Sequence, residues 1–277
     1  MTNQELLSKF IDEMLLQGKA NSTIGTYTSH VGQLSKWINA ELELVKDENI
    51  RAYFLNLRTS VPEAEQYYNS AISAIKLFVE SILKRKWIGL DYIKVRHHKL
   101  KEVLTTEEVK YLLETTNNLK HRCIIGLLYS SMLRLNELVN IKGKGDIDSK
   151  QMIVNVRVTK GGKERITILS ATVLEWLRDY YRLYKPKDWL FEGQNPGSHI
   201  TGRTVEHVLE QGLNRCSIDK KVSPHGLRRT GASHLLEAGI DLRTIQVLLG
   251  HKDISTSTIY LQLSNSHISK VKSLLDK

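Results

Sequence analysis

The chain has 277 residues, a length suited to two domains that each bury a core of their own. Hydrophobic residues make up 41% of the sequence, prolines number only 4, and no signal peptide or long apolar segment opens the chain. This composition excludes a disordered or membrane-spanning protein and predicts a cytoplasmic one that makes no membrane contact.

The net charge of +10 favours a polyanionic partner such as nucleic acid. Residues 1–83 contain 7 Lys and Arg against 10 Asp and Glu, so the rest of the chain contains 33 against 20. A basic surface that serves only solubility also explains the charge when it is taken alone. Cys123 and Cys216 lack the spacing of zinc or redox sites and are predicted to be reduced thiols.

Four stretches in the first 83 residues place apolar side chains at helical spacing. They cover residues 6–14, 27–38, 50–57 and 68–82, and they predict a small helical domain over residues 1–83. The basic segment 84–103 has no clear periodicity, and we interpret it as an interdomain linker. Its cations could clamp a DNA backbone, although a solvated linker explains them as well.

A second domain is predicted for residues 104–277. Thr105 and Glu108 form the capping-box pattern of a helix start. Alternating β-branched residues on either side of the turn 160–163 predict a β-hairpin. Further helices are predicted over residues 109–115, 121–131, 171–183, 204–214, 224–238 and 241–249. The expected fold class is therefore mainly α with a small β-hairpin, an α+β catalytic domain behind a helical domain.

His225 and Arg228 are three residues apart near a predicted helix start, so their side chains share one face beside the helix N-terminus and suit a phosphate. Arg134 is a second cation that could grip both non-bridging oxygens of that phosphate, with Glu137 as its brace. Each pair, taken singly, is also compatible with an ordinary helix surface.

Lys160, at the predicted hairpin turn, could protonate the 5′ oxygen that leaves a cut strand, and Lys163 is a rival for this role. Tyr260 could attack the phosphorus if neighbouring cations and a proton acceptor such as His251 assist it. A solvated turn lysine and a packed tyrosine explain these two residues when each is considered alone. Seven cations are assigned to DNA contact: Lys94, Arg96, Lys99, Lys101, Lys163, Arg165 and Arg229.

Six of these residues resemble, in order and spacing, the catalytic set of the tyrosine recombinase (phage-type integrase) family: Arg134, Lys160, His225, Arg228, His251 and Tyr260. The resemblance covers both domains and is strongest over residues 225–260. It implies that Tyr260 forms a 3′-phosphotyrosine and that Arg134 and Arg228 hold the phosphate. It also implies that Lys160 is the general acid and that the two histidines assist proton transfer.

The resemblance further implies a core-binding domain and a catalytic domain that clamp double-stranded DNA at a specific recombination site. Protomers would assemble as a tetramer on two sites by exchanging a C-terminal helix at about residues 265–277. Because no arm-binding domain precedes Asn3, the simple two-domain kind is expected. Met132 stands where the family usually has Gly, and Arg229 stands where a second His is common.

Neither a cofactor nor a metal is expected, because the sequence contains no phosphate-binding GxxxxGK[ST] loop, dinucleotide fingerprint or HExxH motif. Two alternative functions remain at this point. One is a type IB topoisomerase, which uses similar residues but relaxes DNA as a monomer. The other is a DNA-binding protein of recombinase descent that no longer cuts.

Overall fold

The computed structural model describes residues 1–60, 65–87, 90–93, 102–157 and 164–250. The chain divides into two compact units, residues 1–98 and 99–277. Most described residues are helical, and a small antiparallel sheet lies in the second unit. The predicted fold class is confirmed.

The described part of the N-terminal unit contains the four predicted helices and a short 3₁₀ turn at Leu42–Leu44. Thr2 caps the first helix and exchanges hydrogen bonds with Glu5, as a capping box does. Phe10 and Phe78 meet edge to face in the core, with ring centroids 5.4 Å apart. The helices are α1 (Asn3–Leu16), α2 (Asn21–Ile38), α3 (Asp47–Ser60) and α4 (Glu65–Ser81).

The C-terminal unit opens at the predicted capping box, where Glu108 N–H donates to Thr105 Oγ1 (3.2 Å) and Thr105 N–H donates to Glu108 Oε2 (2.7 Å). Within the described residues of this unit, all six predicted helices are present, and two further short ones were not predicted because one turn shows no periodicity. The eight are α5 (Thr106–Glu114), α6 (Leu119–Ser130), α7 (Leu135–Val139), α8 (Gly143–Asp146), α9 (Ala171–Tyr184), α10 (Gly202–Arg215), α11 (Pro224–Glu237) and α12 (Leu242–Leu249).

The predicted hairpin is confirmed by β2 (Ile153–Val156) and β3 (Arg165–Ile168), which pair antiparallel. A third strand, β1 (Ile147–Asp148), pairs with β2 and was too short to predict. The hairpin turn at residues 158–163 lies outside the described part of the chain.

Helices α6 and α11 cross closely enough that a Cβ on Gly231 would approach the Tyr129 carbonyl oxygen to 2.3 Å. A small apolar cluster lies beside this crossing and consists of Met132, Ala232, Leu236, Ile245 and Leu249. The cluster fixes the end of α12 against α11 and against the loop before α7.

None of the helices within the described ranges is both long and apolar enough to cross a bilayer.

Candidate active site

A buried carboxylate, Glu137, lies among three arginines at the start of α7, and only 4% of its side chain is exposed. The backbone N–H and Nη1 of Arg134 each donate to it at 2.7 Å. Arg165 donates from Nη2 (2.6 Å) and Nε (3.3 Å), and Nη1 of Arg228 lies 3.5 Å from Oε2. The predicted brace therefore contacts three guanidiniums and not one.

Glu137 is ionised at neutral pH. Burial acts to raise its pKa, but hydrogen bonding and charge from Arg165, the backbone N–H of Arg134 and the charge of Arg228 outweigh burial and lower it. Three guanidiniums against one carboxylate leave this group of four side chains with an excess of positive charge. Such an excess suits a phosphate.

Arg228 is fully buried in α11. Its Nη1 donates to the Met132 carbonyl and its Nη2 to the Leu249 carbonyl, both at 2.6 Å. Met132 adopts a φ of 50°, the left-handed region that L-residues rarely occupy. This conformation belongs to the position at which the sequence departs from the usual glycine.

Arg134 precedes the first residue of α7, and 44% of its side chain is exposed. Its Nη2 donates to the Gly250 carbonyl at 3.2 Å. Of the three arginines around Glu137, it is the one that presents its guanidinium to solvent. Arg134 is therefore the arginine of this cluster that an anion in solvent can reach.

Arg165 begins β3, and its side chain is 8% exposed. Besides Glu137, it donates to the carbonyls of Leu248 and Met132. Arg229 is also buried, with 7% exposed. The predicted DNA contacts of Arg165 and Arg229 do not fit these positions, because a guanidinium must be accessible to reach a DNA backbone.

His225 is exposed in the first turn of α11. Pro224 begins the helix, and Ser223 caps it by accepting the Gly226 N–H at 3.2 Å. The exposed His225 and the buried Arg228 thus leave the same turn in very different surroundings.

The remaining candidates lie outside the described residues: Lys94, Arg96, Lys99, Lys101, Lys160, Lys163, His251, Tyr260 and the predicted exchange helix at residues 265–277. The structure brings together Arg134, Glu137 and Arg228, as the sequence suggested. It adds Arg165 and the Met132 carbonyl, which sequence reasoning missed. Alternation along β3 puts Arg165 on the same face as Thr167, but only the structure shows that this face is the buried one.

Comparisons with known proteins agree over both units. Residues 102–267 match the phage integrase family, and residues 6–89 match the N-terminal SAM-like domain of phage integrases. The chain is 34% identical over 290 residues to tyrosine recombinase XerD of Staphylococcus saprophyticus, covering 95% of this chain and 94% of that protein. It is 30% identical over 275 residues to tyrosine recombinase XerA of Pyrococcus horikoshii, covering 97% and 92%.

A crystal structure of XerA recombinase superposes with a TM-score of 0.57 at 30% identity, covering 97% of this chain and 96% of that chain.

Proposed function

The chain belongs to the phage integrase family of site-specific tyrosine recombinases, and from this premise we propose the residues and steps by which it cuts and rejoins DNA. The observation that carries the proposal is the arginine cluster around Glu137, with Arg134 exposed at its edge. Its charge and donors suit a phosphodiester whose negative charge grows during attack.

In the cleavage step, the phenolic oxygen of Tyr260 forms a bond to the scissile phosphorus and the bond from phosphorus to the 5′ oxygen breaks. The phenolic proton passes to His225 or His251, and Lys160 donates a proton to the leaving 5′ oxygen. The products are a 3′-phosphotyrosine and a 5′-hydroxyl. Attack by the 5′-hydroxyl of a partner strand reverses these steps and reseals the DNA without an external energy source.

Arg134 is the direct phosphate ligand in this scheme, because its guanidinium is accessible. Arg228 contributes positive charge from its buried position beside Glu137. Direct contact between Arg228 and the phosphate requires a shift of the surrounding chain on DNA binding, since its side chain is fully buried and two carbonyls accept its N–H groups.

The partner is double-stranded DNA that carries a specific recombination site, and the active assembly is a tetramer on two such sites. Residues 1–83 serve as the core-binding domain, residues 84–103 as the linker and residues 104–277 as the catalytic domain. The excess of Lys and Arg after residue 83 supports contact of the linker and catalytic domain with DNA. The expected location is the cytoplasm, in association with the nucleoid.

The test uses short nicked duplexes of randomised sequence, which are incubated with the protein and stopped in SDS. Covalently bound fragments are isolated and sequenced. Wild-type protein should yield an adduct enriched in one sequence, whereas Tyr260→Phe should yield none and still bind duplex, because only the nucleophilic oxygen is removed. Tyr111→Phe, at a tyrosine that is 52% exposed, is the matched control. An SDS-stable adduct from Tyr260→Phe would show that another residue is the nucleophile.

A further inference from the structure

A single buried guanidinium, that of Arg165, joins three separate segments of the C-terminal unit. It leaves the first residue of β3 and grips Glu137 of α7 through Nη2 (2.6 Å) and Nε (3.3 Å). Its Nη1 donates to the Leu248 carbonyl near the end of α12, and Nη2 lies 3.4 Å from the Met132 carbonyl in the loop before α7.

Each of these segments adjoins a residue of the proposed catalytic set. Along the sequence, Met132 shortly precedes Arg134, Leu248 shortly precedes His251, and Lys160 shortly precedes β3. A planar guanidinium fixes its partners in direction as well as in distance, which a lysine ammonium does not. The position of Arg165 therefore sets the spacing of segments that are remote in sequence.

Gly250 shows how closely the end of α12 lies against Arg165. A Cβ at residue 250 would approach Arg165 Cδ to 2.5 Å, and the φ of Gly250 is 62°. The same residue offers its carbonyl to Nη2 of Arg134 at 3.2 Å. The chain that continues to His251 thus leaves from a point held against two arginines.

We propose that Arg165 is a positioning residue for strand cleavage: it locks the Glu137 carboxylate, and through it the Arg134 guanidinium, in the orientation that receives the scissile phosphate. The proposal rests on the recombinase function described above. Without Arg165, one face of the Glu137 carboxylate loses its bidentate partner. The remaining contacts of the carboxylate with Arg134 and Arg228 then have no opposing bidentate partner, so the direction of Arg134 is less firmly fixed.

The test measures single-turnover cleavage of the duplex that wild-type protein captures from the randomised pool. Arg165→Met should lower the cleavage rate by about 10- to 100-fold, the range found when a residue that orients a reactive group is removed. The dissociation constant for the duplex should change little, because Arg165 is buried. Arg165→Lys should lose part of the rate, since it restores charge but not the bidentate bonds.

The pH profile separates this role from a merely structural one. Glu137 acts as a carboxylate, so cleavage falls as the pH drops through its pKa. Arg165→Met removes the strongest favourable partner, and burial then raises the Glu137 pKa. The acidic limb of the rate profile should therefore move toward neutral pH. In a Glu137→Gln background, adding Arg165→Met should not move that limb further.

Arg157→Met is the matched control, because Arg157 lies in the same hairpin and pairs with a different buried carboxylate, Asp146, which is 3% exposed. It should leave the acidic limb in place. A normal rate and pH profile for Arg165→Met would overturn the proposal, and so would a profile that responds equally to Arg157→Met. If Arg165→Met does not fold, as thermal unfolding would reveal, Arg165→Lys decides by its cleavage rate, which should be lower than that of Arg157→Met, and a normal rate would overturn the proposal. Absence of any adduct with wild-type protein would instead contradict the proposed function.

Discussion

Replacing Met132 by Ala and by Gly separates two opposing effects in the loop before α7. The Met132 side chain is fully buried beside Ala232 and Leu236, while its backbone has a φ of 50°. Truncating a buried Met to Ala costs about 2–5 kcal/mol. The left-handed conformation costs an L-residue about 1–2 kcal/mol, and glycine avoids that cost.

Both variants should therefore be less stable than the wild type, but Gly should be the milder change. In ordinary backbone, Gly is less favourable than Ala by about 0.5–1 kcal/mol because it loses more entropy on folding. Relief of about 1–2 kcal/mol of strain reverses that order here and leaves Gly ahead by about 0.75 kcal/mol at the midpoints of the two ranges, with extremes of about 0 and 1.5 kcal/mol.

The measurement is the midpoint of urea unfolding, compared between variants whose unfolding free energy depends on urea concentration with the same slope. In a background with Trp37→Phe and Trp87→Phe, fluorescence reports the C-terminal unit, because the other tryptophans, Trp176 and Trp189, belong to it. The Gly variant should show the higher midpoint of the two. An Ala variant as stable as the Gly variant, or more stable, would refute the argument from backbone conformation.

Three further predictions concern residues outside the described ranges. A substrate with a 5′-bridging phosphorothiolate, whose sulfur leaves without protonation, should rescue cleavage by Lys160→Ala. It should not rescue cleavage by Arg228→Ala or by the control Lys163→Ala. Equal rescue of Lys160→Ala and Arg228→Ala would remove the general-acid role. The affinity for DNA should fall steeply as salt is added. Neutralising Lys94, Arg96, Lys99 and Lys101 should reduce the slope of log binding constant against log salt concentration by about 0.9 for each phosphate that the linker no longer neutralises. An unchanged slope would make the linker a spacer. Truncation before Ile268 should leave a folded, DNA-binding protein without cooperative assembly or strand exchange, because an apolar stripe recurs through residues 268–275. Normal synaptic complexes on native gels and full recombination of a two-site plasmid would exclude exchange through this segment.

The long helices were predictable because their apolar spacing persists over several turns, as in α2 and α4. The faces of β3 were not. Ile166 and Ile168 point outward, with 55% and 38% exposed, whereas Arg165 and Thr167 point inward. Alternation along the strand separates these residues into two faces, but it does not show which face is buried. The buried face is polar here because Arg165 and Thr167 donate to Glu137 and to the Ser131 carbonyl, which belong to a distant part of the sequence.

The arginine and carboxylate members of the candidate site were predictable from their order in the sequence, and their burial was not. Nothing local distinguishes Arg134, which is half exposed, from Arg228, which is fully buried. The difference arises from carbonyls at Met132 and Leu249, which only the folded chain brings to Arg228. Such long-range acceptors leave no periodic signal.

The contacts of Glu137 also determine when the arginines become ordered. Immobilising a long, flexible side chain such as arginine costs about 1.5–2 kcal/mol of conformational entropy. Here Glu137 and the nearby carbonyls hold Arg134, Arg165 and Arg228 through contacts made within the chain itself. The entropy is therefore lost when the protein folds and not when a phosphate arrives. A carboxylate that orders these arginines in advance thus leaves more of the phosphate-binding energy available for distorting the DNA strand toward its transition state.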